Sequence, residues 1–172
     1  RLPDPDPANG TGLTNWQKCE DKKGMQVADP EQRKTLKTIA TEMLDALDRS
    51  ILVEPISKRR PDLDLAAAYA LGADLTNRRR ARGERTVGRK LGFTNPATWE
   101  LLGVDAPFRA YVYDSTVTIF DTSESSVSIS NLAQPRLEPE IVLYFKSDPP
   151  ITANEVELVA HIDWIAFGFE IV

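Results

Sequence analysis

Apolar residues recur along this chain at two different spacings, and the change of spacing divides it. Leu36, Ile39, Ala40, Met43, Leu44 and Leu47 fall at i, i+3, i+4 intervals, which predicts an amphipathic helix. Asp29-Pro30-Glu31 supplies its start: a capping side chain, a proline at the first helical position, an acid in the first turn. This helix should run to about Arg49. Pro55 and Pro61 break the connection that follows. A second helix is expected from Asp62 or Asp64 through Ala66, Tyr69, Ala70 and Ala73 to about Arg82, with Gly83 suited to the C′ position. Thr86 to Thr94 reads as a short strand with Lys90 midway between Gly88 and Gly92, an arrangement that lets a ligand or backbone come close. Asn95-Pro96 caps a short helix through Trp99 and Leu102, stopped by Gly103.

From about residue 105 the pattern turns β-rich. Tyr111, Val112, Tyr113, Val117, Ile119 and Phe120 predict one strand and Val127 to Ile129 a second, joined by a turn over Asp121 to Ser126. Gln134 to Phe145 follows as a buried strand. Thr152 or Asn154 then caps a helix through Val156, Leu158, Val159 and Ile162. The apolar strand Trp164 to Val172 comes last. Residues 1–28 are rich in Pro, Asp, Gly and Asn, lack periodicity, and read as an extended arm or linker. The expected organisation is that arm, a helical part over 29–104, and a β-rich part over 105–172. The expected fold class is α+β.

The strand at Gln134–Phe145 carries Glu138 and Glu140 among apolar residues. Side chains at i and i+2 of a strand share a face, about 7 Å apart along it. Two carboxylates on an apolar strand repel and are costly to desolvate. A divalent cation resolves the conflict, because hard cations take carboxylate oxygens. An edge strand with both glutamates in water accounts for the same pattern. Glu170, the one acid of the terminal apolar strand, is a third candidate ligand.

Composition narrows the chemistry. The 172 residues suffice for one domain with a sizeable core. A net charge of −5 argues against a general nucleic-acid binder. No apolar run approaches a membrane span, and no signal peptide opens the chain, so a cytoplasmic protein is expected. The triplet Asn9-Gly10-Thr11 is therefore expected to be unglycosylated. One cysteine, Cys19, and one histidine, His161, exclude multi-cysteine and multi-histidine metal sites, so any metal is held mainly by oxygen. The basic runs Lys58-Arg59-Arg60 and Arg78-Arg79-Arg80 are accounted for by a solvated turn and a helix C-terminus.

Four blocks, in order, resemble the 2-keto-4-pentenoate hydratase and 4-oxalocrotonate decarboxylase group of the fumarylacetoacetate hydrolase superfamily. They are Leu63-Asp-Leu-Ala-Ala-Ala-Tyr69 with Val87-Gly-Arg-Lys-Leu-Gly-Phe-Thr94, then Leu102-Gly-Val-Asp-Ala-Pro107, Pro135-Arg-Leu-Glu-Pro-Glu-Ile141 and Phe169-Glu-Ile-Val172. The similarity covers roughly residues 30–172. It implies a mixed β-roll after the N-terminal helices, and a Mg²⁺ or Mn²⁺ ion bound by Glu138, Glu140 and Glu170. It also implies an active-site role for Lys90, which would stabilise negative charge on substrate or transfer a proton. The implied substrate is a small 2-keto or 2-hydroxy-dienoate acid, hydrated or decarboxylated through a metal-stabilised enolate. A homo-oligomer is expected by the same resemblance.

Two departures temper this expectation. Many hydratases of the group carry an acid directly after the proline of the second block, whereas Phe108 follows Pro107 here. The nearest acids are Asp105 and Asp114. Family members also continue well past the position of Glu170, so the β-roll is expected to be incomplete as given. The alternative reading is a non-catalytic descendant or fragment with a binding or assembly role. A C–C hydrolase of the wider superfamily is disfavoured, because His161 lies in the wrong block for the histidine–glutamate pair those enzymes use.

Overall fold

The computed structural model describes residues 30–122, 124–152 and 154–172. The expected arm over 1–28, the Asn9 triplet, Cys19 and the Asp29 cap lie outside the described residues.

Helix α1 spans Pro30–Arg49, as its spacing predicts. A short helix α2, Ile56–Arg59, fills the connection, and α3 spans Leu65–Ala81. Asp64 is the N-cap of α3, accepting a hydrogen bond from the Ala67 amide at 2.8 Å. At its other end Gly83 takes φ 95°, a conformation that favours glycine after a helix. Leu36, Ile39 and Ala40 of α1 pack with Ala67 and Leu71 of α3 to form the buried core, and Met43, Ile56, Leu63 and Leu75 close around it. The apolar stripe read from α1 is thus a packing face.

Strand β1, Thr86–Gly92, pairs antiparallel with β2, Phe108–Tyr113. Between them lie a 3-10 turn at Pro96–Thr98 and helix α4, Trp99–Leu102, ended by Gly103 at φ 66°. Tyr113 docks this ribbon on α3. Its hydroxyl lies 2.8 Å from that of Thr76, which itself donates to the Gly72 carbonyl at 2.9 Å, so Tyr113 is the donor. Arg79 stacks on the Tyr113 ring at 3.9 Å and pairs with Glu84 at 2.6 Å. The two basic runs are engaged as structure: Arg78 pairs with Asp74, Arg59 with Glu42 and Arg60 with Asp62.

Strand β3, Leu137–Phe145, pairs antiparallel with β4, Ile162–Ile171, across helix α5, Glu155–Val159. Helices first, then small antiparallel sheets, make the α+β class of the expectation; among the described residues no closed barrel forms. No helix among them is long and apolar enough to cross a membrane.

Three local expectations are corrected. The strand expected through Val117, Ile119 and Phe120 ends at Tyr113. Asp114 stops it: its carboxylate accepts from the Arg85 and Ser115 amides at 2.9 and 3.0 Å, and Asp114–Thr116 form a 3-10 turn. Val127–Ile129 likewise forms no strand, because no partner strand among the described residues lies beside it. Helix α5 stops at Val159, and Ile162 opens β4 instead, leaving His161 in the turn.

Strand β3 also differs from the buried strand expected. Ladder register divides the β3–β4 ribbon into two faces. One holds Leu137, Ile141, Leu143, Ile165, Phe167 and Phe169, all exposed, with Phe167 at 89%. The other holds Glu138, Glu140 and Glu170, and further along Tyr144 stacked on Trp164 at 4.7 Å.

Candidate metal centre

Antiparallel pairing builds the carboxylate cluster. Glu138 and Glu170 are direct cross-strand partners, so their side chains leave the same face of the ribbon. Glu140, two residues on, faces Gly168. A Cβ at Gly168 would sit 2.9 Å from Cγ2 of Val142, so glycine at this position makes room for the Val142 side chain. One carboxylate oxygen from each of the three glutamates lies within 4.8 Å of the others. All three candidate ligands are therefore brought together, Glu138 exposed and Glu170 half-buried.

The donor set suits a hard divalent cation. It is all oxygen, and it is anionic. Ligand oxygens in an octahedral Mg²⁺ shell with bonds of about 2.1 Å lie about 3 to 4.2 Å apart. The observed oxygens, within 4.8 Å of one another, lie near that spacing. His161 stands apart from it, with Nδ1 at 2.8 Å from the Ser147 hydroxyl at the far end of the ribbon.

Lys90 reaches the cluster from the other sheet. Its ammonium forms an ion pair with Oε2 of Glu170, both side chains a little over a quarter exposed. Sequence periodicity held no sign of this contact across 80 positions. On β1 Lys90 pairs with Ala110, whose small side chain leaves the lysine stem free to extend. Two positions along, on the same face, Gly92 pairs with Phe108. A Cβ at Gly92 would run into the Phe108 ring, so glycine is what lets that ring lie against the strand here. The ring centroid is 6.0 Å from the Lys90 nitrogen and 5.0 Å from the Phe93 ring, which meets it edge-on. An aromatic wall thus stands beside the lysine, at the position after Pro107. In the sequence Phe108 registers only as a missing acid, because its pairing with Gly92 depends on cross-strand register.

Neither Asp105 nor Asp114 is among the clustered carboxylates. Asp114 is committed to Arg85, whose amide and guanidinium hold its carboxyl below the usual range, the amide contributing most. Glu84 is held below its usual range in the same way, chiefly by Arg79.

No protein-family model matches the chain. It is 30% identical over 140 residues to the 2-hydroxyhexa-2,4-dienoate hydratase of Comamonas testosteroni, which covers 80% of this chain and 52% of that protein. It is 32% identical over 143 residues to the 2-hydroxypent-2,4-dienoate hydratase of Pseudomonas putida, covering 79% and 63%. The chain thus spans between half and two-thirds of these curated relatives. In fold it matches 4-oxalocrotonate decarboxylase from Pseudomonas putida G7, solved with calcium and acetate, at a TM-score of 0.73 and 23% identity over 81% of this chain and 53% of that one. The same decarboxylase with magnesium and adipate matches at 0.68, with 24% identity and 81% and 52% coverage. The resemblance read from the four sequence blocks is borne out.

Proposed function

We propose that this chain forms part of a divalent-metal-dependent lyase of the 2-keto-4-pentenoate hydratase and 4-oxalocrotonate decarboxylase family, acting on small 2-keto or 2-hydroxy-dienoate acids. The observation that carries this reading is the convergence of Glu138, Glu140 and Glu170 with Lys90 at one point between two sheets. Named relatives with hydratase activity, and a fold neighbour solved with calcium or magnesium, support it.

In this reading the three glutamates would hold Mg²⁺ or Mn²⁺. When bound, such an ion supplies Lewis-acid stabilisation of the enolate-like charge that develops on a 2-keto acid. The remaining work falls to the chain's own side chains. Lys90 presents Nζ next to the carboxylates, where it can neutralise charge on a bound acid or pass a proton to it. The Phe108 ring lies beside that ammonium, its centroid 6.0 Å from the nitrogen, with Phe93 packed edge-on against the ring. An apolar wall beside a charged centre fits a substrate with a charged head and an unsaturated hydrocarbon tail.

The direct test is turnover of 2-hydroxy-dienoates and of 4-oxalocrotonate by the natural full-length protein, with and without Mg²⁺ or Mn²⁺. Metal-dependent turnover that falls by about 10²-fold or more in Lys90→Met is expected. A Lys90→Met protein with full turnover would remove the lysine from the mechanism. No turnover of either substrate class in any metal would favour the non-catalytic reading.

A further inference from the structure

We infer that Lys90 also governs metal loading: its ammonium is the resident cation of the carboxylate cluster, and a divalent ion must compete with it for Glu170. This rests on the reading of Glu138, Glu140 and Glu170 as the cation-holding set.

The ammonium pairs with Glu170 rather than lying free over the cluster. Formal charge makes the pairing consequential. Three carboxylates carry −3, and Lys90 brings the group to −2. A metal held by Glu170 would share that carboxylate with the ammonium, bringing two positive charges onto one group. In a partly buried site that repulsion is weakly screened. Lysine is also the residue best able to yield, since its ammonium sits on a flexible four-carbon stem. Ala110 opposite leaves that stem room to swing, and the Phe108 ring offers a cation-friendly surface beside it.

Two consequences follow. Metal affinity is set partly by a residue that need not touch the metal. Loading also releases Nζ from Glu170, so Lys90 becomes available to a bound acid only in the loaded site. Coupling of this kind is reciprocal: what holds Lys90 on Glu170 weakens the metal, and the metal weakens that hold.

Calorimetric titration of the full-length protein with Mn²⁺ and with Mg²⁺, without substrate, tests this. Lys90→Met should bind either ion about tenfold or more tightly than the unsubstituted protein, and Lys90→Arg, which keeps the charge, should not. On the unsubstituted protein, Mn²⁺ should raise several-fold the rate at which an amine-reactive reagent labels Lys90, read by peptide mass spectrometry. That second arm decides the matter if Lys90→Met does not fold. Equal or weaker binding by a folded Lys90→Met protein, or labelling of Lys90 indifferent to Mn²⁺, overturns the inference. Glu138→Gln separates the two levels. If it binds Mn²⁺ like the unsubstituted protein, or if no variant binds either ion, the carboxylate site itself falls and the inference with it.

Discussion

Glu138 and Glu170 face each other directly across the β3–β4 ladder, a like-charge pair that costs stability when both are ionised. Lys90 offsets that cost on the Glu170 side only. Glu138→Gln should therefore stabilise the metal-free protein by about 0.2–1 kcal/mol. It should also abolish most of the stabilisation that Mg²⁺ or Mn²⁺ gives the unsubstituted protein. Thermal denaturation with and without the ions reads both effects. A Glu138→Gln protein less stable without metal would show that the pair is not repulsive.

The Tyr113 hydroxyl joins the sheet to the helical part through Thr76, a buried polar side chain. Thr76 keeps its bond to Gly72 when the phenol is lost, so the expected cost of Tyr113→Phe is moderate, about 1 kcal/mol. Urea denaturation should show a lowered midpoint at unchanged slope. A change in slope would mean the two parts no longer unfold together.

Acid should weaken the same junction. Glu84 and Asp114 have folded-state pKa values below their ordinary 4.5 and 3.8, for the reasons of pairing and amide donation given above. Groups lowered on folding contribute stability that is complete above the unfolded pKa and lost as pH falls through it toward the folded value. Stability from these two should thus hold at neutral pH and decline below about pH 4.5. Denaturant midpoints measured between neutrality and pH 3 should fall, and Glu84→Gln should flatten the fall.

Gly92 and Phe108 occupy space that only one Cβ-bearing residue can share. Gly92→Ala should cost about 1–3 kcal/mol through displacement of the ring. Phe108→Ala should rescue most of that loss, giving a strong favourable coupling in a double-mutant cycle. Additive effects would mean that the ring already lies elsewhere in solution.

Much of this molecule is legible in its sequence. The α1 stripe, a helix start at Asp62 or Asp64 and the i, i+2 placement of Glu138 and Glu140 are local, and local rules predicted them, the structure choosing Asp64 as the cap. Cross-strand register is not local. Nothing in the pattern of β4 says that Glu170 meets Glu138 rather than Glu140, and nothing in β1 says that Lys90 reaches β4. Residues 117–130 misled in the opposite way. Their alternation is sound, but alternation makes a strand only where another strand accepts its hydrogen bonds, and Asp114 had already turned the backbone to cap Arg85. The resemblance to a family added the roles of the acids, which spacing alone left open between metal ligands and solvated glutamates.

The two-faced ribbon makes this site a matter of parity. Because side chains alternate strictly, one residue gained or lost within β4 between Trp164 and Glu170 would exchange its faces. With a residue gained, Glu170 would face Leu137 and Phe169 would stand where a carboxylate now faces Glu138; with one lost, Glu170 would move in between Leu137 and Ile141. Such a change leaves composition, charge and nearly every hydrogen bond of the ladder intact, yet it dismantles the three-carboxylate cluster. Along this strand the chain can vary its side chains with some freedom, but it must preserve its count.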